Sequence, residues 1–154
     1  MPPTTLATAV NAILDGLVTY LKTEQRTGGT LSDVIVIARG DRASPSPEVP
    51  AVYLVPQKMI VVEPTTSQSE WWEMPVNIGT MVNSDIPEIG YTAATDLAAR
   101  ARALLLTHNS RNIGLDYIKI IKSSTFDPAG PWSRAEGNYH TASAEVKVLF
   151  KIRG

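Results

Sequence analysis

The segment that most constrains the fold is Tyr139 to Arg153, where inward-facing and outward-facing residues alternate one by one. A period of two is typical of a strand with one face against a core. One face carries His140, Ala142, Ala144, Val146, Val148, Phe150 and Ile152, and the other carries Thr141, Ser143, Glu145, Lys147, Lys151 and Arg153. A second alternating segment runs from Glu70 to Val82. Two strands of this length predict a broad antiparallel sheet that needs covering on one face.

Two segments have the spacing of helices that could supply this cover. Apolar residues recur every three or four positions from Thr5 to Thr23 and again from about Ile89 to Thr107. Thr4 or Thr5 can cap the first helix, and Asn109 is the expected C-cap of the second. The alanines of the second helix would let it lie close against a sheet.

The remaining segments predict shorter strands and loops. Expected strands are Val34 to Ala38, Ala51 to Val55 and Leu115 to Phe126, with Lys58 to Glu63 either extending the second beyond Pro56 or forming its own strand. Expected connections are the exposed loop Gly40 to Pro50, the polar turn Pro64 to Ser69 and the long hairpin connection Asp127 to Asn138. Pro75 suggests an edge or a bulge.

These elements predict an α+β fold with a single domain over residues 1–154. The expected sheet is mostly antiparallel, has about four to five strands, carries two helices on one face and ends in a long C-terminal hairpin. The predicted elements contain no repeated βαβ unit, so a doubly wound parallel sheet is not expected.

Composition excludes several classes of function. The chain has 154 residues, no cysteine and a net charge of −1. The absence of cysteine rules out disulfides and thiolate chemistry, and a near-neutral charge argues against a dedicated nucleic-acid binder. No apolar run is long enough for a transmembrane helix, and the N-terminus lacks the basic region of a signal peptide, so no membrane association is expected.

The sequence offers no recognisable catalytic apparatus. It contains no phosphate-binding, dinucleotide-binding, zinc-protease or serine-hydrolase motif. Its two histidines, His108 and His140, are interpreted as a helix-end residue and a core residue. Ser133, His140 and Asp127 share one hairpin, but no motif supplies the oxyanion hole that a triad needs. We therefore predict no catalytic, cofactor-binding or metal-binding residue and no enzymatic activity.

Interface residues are easier to nominate than catalytic ones. On a strand, the rings of Trp71 and Trp72 must point to opposite faces, so only one can fill the core. Exposed aromatic residues are typical anchors of protein interfaces. The candidate interface residues are Trp71, Trp132, Arg42, Pro45, Pro47 and Arg134.

A group of cations lies on the predicted C-terminal hairpin: Lys119, Lys122, Lys147, Lys151 and Arg153. Lysines on the outer face of strands also guard against edge-to-edge aggregation. The alternative is a charged surface that faces a partner or passing DNA.

The order of these features resembles that of the tail terminator proteins of long-tailed bacteriophages, the lambda-type group in particular. The resemblance is carried by the strand entry Val49–Leu54, the strand Trp71–Val82, the acidic turn with proline, the alanine-rich helix and the turn Ala129–Ala135 before the final strand. The loop from Gly40 to Pro50 and the stretch from Lys58 to Thr66 depart from the family pattern, which leaves the partners least defined.

This resemblance implies a homohexameric ring that caps the tail tube protein, stops tube polymerisation and joins the tail to a head connector or neck protein. DNA would pass through the lumen without sequence-specific binding. The ring would assemble in the host cytoplasm and reside in the virion neck. Other head–tail joining proteins share this fold. A monomeric or dimeric protein-binding adaptor using Trp71 and Trp132 remains an alternative, as does a small enzyme with an unrecognised site.

Overall fold

The computed structural model of the protein describes residues 2–40, 48–66, 69–107, 112–128 and 138–153. Within these ranges the elements, in chain order, are α1 (Leu6–Thr23), β1 (Val36–Arg39), β2 (Ala51–Pro56), β3 (Ile60–Thr66), β4 (Ser69–Asn83), α2 (Pro87–Leu106), β5 (Ile118–Asp127) and β6 (Tyr139–Arg153). The protein is an α+β fold, as predicted. The described part of the sheet has six strands instead of four to five, because the segment after Pro56 forms its own strand.

The sheet is built around the antiparallel pair β4 and β6. Their register is unbroken from the pair of Ser69 and Arg153 to the pair of Asn83 and Tyr139. The order is β1-β2-β4-β6-β5, with β3 also paired to β4. All pairs are antiparallel except β1 with β2. The expectation of a mostly antiparallel sheet with a long C-terminal hairpin, formed by β5 and β6, is confirmed.

Both helices lie on the same face of the sheet. Thr80 in β4 donates a hydrogen bond from its hydroxyl to the carbonyl of Ala94 in α2, 2.9 Å away. Arg39 in β1 donates to Asp15 and Asn11 in α1, each at 3.0 Å. Arg39 pairs with Leu54, and Leu54 pairs with Ile78, which points to the same side of β4 as Thr80. Both contacts therefore lie on one side of the sheet. The apolar residues of this side and of both helices form one buried core.

Burial of β4 changes along its length. From Ser69 to Glu73 the residues are half-buried, and from Met74 to Asn77 buried and half-buried residues alternate. From Ile78 to Val82 every residue is buried. Tyr53, Met81 and Thr141, on the face opposite the helices, are buried too. The prediction of one buried face therefore holds only for the Trp71 end of the sheet.

Pro75 lies neither at an edge nor in a bulge, because β4 has neighbours on both sides. The neighbour on one side changes at this point. Along β4, residues Ser69 to Glu73 pair with β3, and residues Val76 to Met81 pair with β2. The carbonyl of Pro75 accepts a hydrogen bond from the backbone N–H of Gln57, which lies between these two strands. The missing N–H of Pro75 therefore faces a break in the neighbouring strand, where it costs no ladder bond.

The segment Pro64 to Thr66, expected as part of a polar turn, is instead the end of β3. Its backbone pairs with β4 as far as the pair of Thr66 and Ser69, with register shifts on either side of Glu63. Prolines are tolerated where an edge strand is irregular. The pairing to a long neighbour overrides the turn propensity of these residues.

Other boundaries move by a few residues. The helix α2 begins at Pro87 because proline is favoured in a first helical turn, and its C-cap is Thr107, not Asn109. The strand β1 begins at Val36 and β5 at Ile118. Thr5 caps α1 by accepting from the N–H of Thr8, as predicted.

His140 is a core residue, as expected. It is buried, its Nε2 lies 3.2 Å from the carbonyl of Ser84, and its ring meets the edge of Tyr91. Gly90 in α2 passes so close that a Cβ there would clash with the imidazole ring of His140. Glycine at this position lets α2 approach β6 and cover the histidine.

We expect Gly90→Ala to lower the free energy of unfolding by about 1–3 kcal/mol, the usual cost of overpacking a rigid core site. Gly16→Ala is a matched control, since its new Cβ would meet only the terminal Cδ1 of Ile113, at 2.6 Å. That side-chain end can move, so the control should stay within about 1 kcal/mol of the parent. Urea denaturation followed by circular dichroism measures both. Equal losses would contradict the proposed close contact.

Arg100 ties the segment after α1 to α2. Its guanidinium contacts both carboxylate oxygens of Asp33, at 2.9 and 3.0 Å, and the carbonyl of Thr30 at 2.7 Å. Asp96 adds a contact of 2.9 Å from the same helix. The hydrogen bond from Arg100 lowers the pKa of Asp33, although partial burial opposes this shift.

A lowered pKa means that the Asp33 carboxylate stabilises the fold above its unfolded pKa, near 3.8, and that this contribution is lost as the pH falls through the lower folded pKa. Because its side chain is 53% exposed, solvent screening limits the effect. We expect Asp33→Asn to lower the free energy of unfolding at pH 7 by about 0.5–1 kcal/mol. The difference should shrink below about pH 4.

The matched control for Asp33→Asn is Asp15→Asn, which breaks one contact of a more exposed pair. Its effect should be smaller. A loss for Asp33→Asn that grows on acidification, measured by denaturation across this pH range, would contradict the sign of the shift.

Candidate interaction surface

The face of the sheet opposite the helices, called here the outer face, brings Trp71 together with two of the predicted cations. Trp71 in β4 pairs with Lys151 in β6. The ammonium of Lys119, from β5, lies 5.5 Å from the centroid of the Trp71 ring, and that of Lys151 lies at 5.8 Å. Both distances are in the range of cation–π attraction. Residues nominated separately as interface and as partner-facing charge thus form one cluster.

Two further cations on this face share one carboxylate. The register places Lys122 of β5 opposite Lys147 of β6. Both reach Glu73, with Nζ–Oε distances of 3.0 and 3.7 Å. The Glu73 side chain is only 12% exposed, so two partners satisfy a carboxylate that has lost most of its water.

Lys119 and Lys151 make no ion pair with any residue that the structure describes. Among the described residues, the side-chain partner of both ammonium groups is the ring of Trp71. Two ammonium groups at this end of the face therefore lack a carboxylate partner among the described residues, and the exposed Arg153 adds a further cation nearby.

A pocket of about 370 Å³ opens beside them, called here the Trp71 pocket. It is lined by Pro2, Trp71, Asp116, Tyr117, Ile118, Lys119 and Lys151. Burial, together with the charge of Asp116, raises the pKa of Tyr117. Its hydroxyl is therefore neutral at physiological pH and can donate or accept a hydrogen bond. The pocket combines an aromatic wall with two ammonium groups, a pairing suited to a ligand that carries both apolar and anionic groups.

Trp72 points to the helix side, as the alternation of the strand requires. It lies opposite Phe150 in the register and packs against the core. Its Nε1 is buried and has no hydrogen-bond partner among the described residues. Of this tryptophan pair, Trp71 is the one available for contact with another molecule.

The remaining nominated residues divide into two groups. Arg153 lies at the exposed end of the outer face, where its backbone N–H donates to the carbonyl of Pro3. Arg42, Pro45, Pro47, Trp132 and Arg134, together with His108 and Ser133, lie outside the described residues. Their proposed roles stay predictions.

Sequence reasoning missed two features. Tyr117 and Asp116 precede β5, in a segment expected to be strand, and their place in the pocket had no sequence signal. Residues 85–89, expected as a turn followed by a helix start, expose Ile86, Ile89 and the carboxylate of Glu88. Two isoleucines flanking Pro87–Glu88 on a solvent-facing turn were the signal that could have indicated a contact site.

The described residues contain no group of three His, Asp or Glu side chains placed to hold a metal ion. A second pocket, of about 350 Å³, surrounds Arg100, whose charge is already engaged by Asp33 and Asp96. No helix in the described ranges is both long and apolar enough to cross a bilayer.

No protein-family model matches the sequence, and no curated protein matches it. The resemblance to tail terminators therefore stays a prediction based on the residues given above.

The two neighbouring tryptophans allow a direct test of which face is the core. We expect Trp72→Ala to lower the free energy of unfolding by about 3 kcal/mol, the low end for loss of a large aromatic from a core. Trp71→Ala should cost less, because the Trp71 ring packs against residues of the outer face and not against the core. Chemical denaturation monitored by circular dichroism measures both. Equal costs would contradict the assignment of Trp71 to a binding surface.

Proposed function

We propose that the protein is a structural subunit of a ring in the neck of a long-tailed bacteriophage, acting as a tail terminator. The ring is built from identical copies, most simply six. It caps the tail tube, stops its polymerisation and joins the tail to the head connector. Its mechanism is steric and conformational and involves no covalent step or cofactor.

The observation that carries the proposal is the outer face at the Trp71 end of the sheet. Trp71, Lys119 and Lys151 form a partly exposed cluster with an adjoining pocket, on a face that carries neither helix. An aromatic residue flanked by cations is a common composition for the centre of a protein interface. A subunit that works by contact with its neighbours needs such a surface.

Two further observations support it. The element order is a helix, four strands, a helix and a C-terminal hairpin. Apart from β3, which lies in the stretch that departs from the family pattern, this is the order that the resemblance to tail terminators implies. The net charge of −1 lets many copies assemble without strong mutual repulsion. In this proposal the cations of the outer face line the lumen or contact the next protein, and DNA passes without sequence-specific binding.

The direct test is the mass of the purified protein by light scattering, combined with negative-stain images and with addition of purified tail tubes of a long-tailed phage. We expect closed rings, either in solution or on the tube end, and tubes that no longer lengthen once capped. A protein that stays monomeric and leaves tube growth unchanged would overturn the proposal. Trp71→Ala should weaken ring formation or capping while Lys58→Ala, a change at an exposed lysine outside the cluster, should not.

The Trp71 pocket also favours a second candidate, a monomeric or dimeric adaptor that binds one partner protein. It predicts the same sensitivity to Trp71→Ala in a partner-binding assay, but no closed ring. The mass measurement separates the two candidates.

A further inference from the structure

The end of the turn after β4 and the first residues of α2 form an acidic and apolar projection, residues 85–89, called here the acidic knob. Ile86 is 54% exposed and Ile89 is 56% exposed. Asp85 accepts a hydrogen bond from Asn138 at 2.7 Å, so its position is fixed from within the chain. The side chain of Glu88 has no partner among the described residues and is exposed. Two exposed isoleucines beside an unengaged carboxylate give this projection an apolar and an anionic part side by side.

The Trp71 pocket has the complementary composition. Lys119 and Lys151 lack carboxylate partners among the described residues, and the walls include Trp71, Tyr117 and Ile118. A carboxylate that entered the pocket would meet ammonium groups that lack an acidic partner among the described residues, and apolar side chains beside it would cover the aromatic wall.

The knob cannot reach the pocket of its own chain. Trp71 lies near the start of β4, and the knob follows its last residue, Asn83. Twelve strand residues at about 3.3 Å each separate the two sites by roughly 40 Å. Complementary patches at opposite ends of one rigid strand can meet only between two molecules.

We infer that the acidic knob of one copy docks in the Trp71 pocket of the next, with Glu88 between Lys119 and Lys151 and with Ile86 or Ile89 against Trp71. The contact is head-to-tail, so each copy offers a pocket to one neighbour and a knob to the other. Such heterologous contacts close into a ring when the rotation between copies closes, and otherwise form an open filament. This inference rests on the proposed assembly of identical subunits and names the partner of the pocket.

Nucleic acid fits the pocket less well. A phosphate backbone presents about one charge every 1.7 Å of duplex and needs a long track of available cations. Here the neighbouring Lys122 and Lys147 are engaged by Glu73, and Asp116 lines the pocket itself. A single carboxylate on an apolar support matches two cations beside a tryptophan better.

Site-specific crosslinking tests the contact, and the natural absence of cysteine makes every introduced thiol unique. Pro2→Cys places a thiol at the pocket without removing either lysine, and Ile89→Cys places one on the knob beside Glu88. The two variants carry tags of different size, are mixed, and are treated with a short bismaleimide. We expect a covalent heterodimer on a denaturing gel. Lys58→Cys, an exposed position that belongs to neither the pocket lining nor the knob, replaces the pocket variant as control and should give only background.

Charge reversal provides the second arm. Lys119→Glu in the pocket variant should lower the crosslink yield about fivefold, the factor that corresponds to about 1 kcal/mol for one interfacial ion pair. Glu88→Lys in the knob variant should do the same. Combining the two reversed partners should recover part of the yield, because the pair with position 119 is restored with opposite polarity while Lys151 remains a cation. Circular dichroism confirms that each variant is folded.

The outcomes separate this inference from the proposed function. A heterodimer no stronger than the Lys58→Cys control, or reversed partners that fail to recover, would overturn the docking of the knob. A ring on tail tubes in the same preparation would then leave the neck function standing on a different interface. Efficient crosslinking by a protein that neither closes into rings nor caps tubes would support the contact and overturn the neck function. Loss of crosslinking on addition of duplex DNA but not of sodium chloride at equal ionic strength would assign the pocket to nucleic acid instead.

Discussion

The pairing of β4 with β6 is the interaction on which the rest of the structure depends. These strands share an unbroken antiparallel register over their whole length. Every other described strand except β1 attaches to one of them, and α2 packs against both. Since a one-residue slip would exchange the two faces of such a strand, the register decides which side chains enter the core.

That register produces two surfaces with different chemistry. The helix side holds Val76, Ile78, Val146 and Val148 in one core, together with the buried His140. At the far end of the opposite side, the same strands place Trp71 beside Lys151 and Glu73 within reach of Lys147. Alternation along one strand thus creates the core and the candidate binding surface at once, and neither can be altered without regard to the other.

The parts of the fold that follow from local periodicity could be predicted from the sequence. Both helices, β4 and β6 were expected close to their observed limits, because long amphipathic patterns leave little choice of structure. The assignment of Trp72 to the core side and of Trp71 to the other followed from the same alternation.

What could not be predicted depends on contacts between distant segments. The pairing of β3 with β4 determines that Pro64 to Thr66 is strand, and the break opposite Pro75 depends on where two neighbouring strands meet. The pocket needs Pro2, Trp71, Tyr117 and Lys151, which come from four separate parts of the chain. No local pattern carries information about that meeting point.

The break opposite Pro75 has a mechanical consequence. It lies between the Trp71 pocket at one end of β4 and the acidic knob at the other, and the cross-strand bonding on that side is interrupted there. The sheet is therefore most easily bent and twisted at this point. In a head-to-tail assembly, the angle through which each subunit turns its neighbour is set by the shape of the sheet between the two contacts. Residues around Pro75, which touch neither contact, would then determine how many copies complete a circle, whereas the contacts themselves determine how tightly the copies hold.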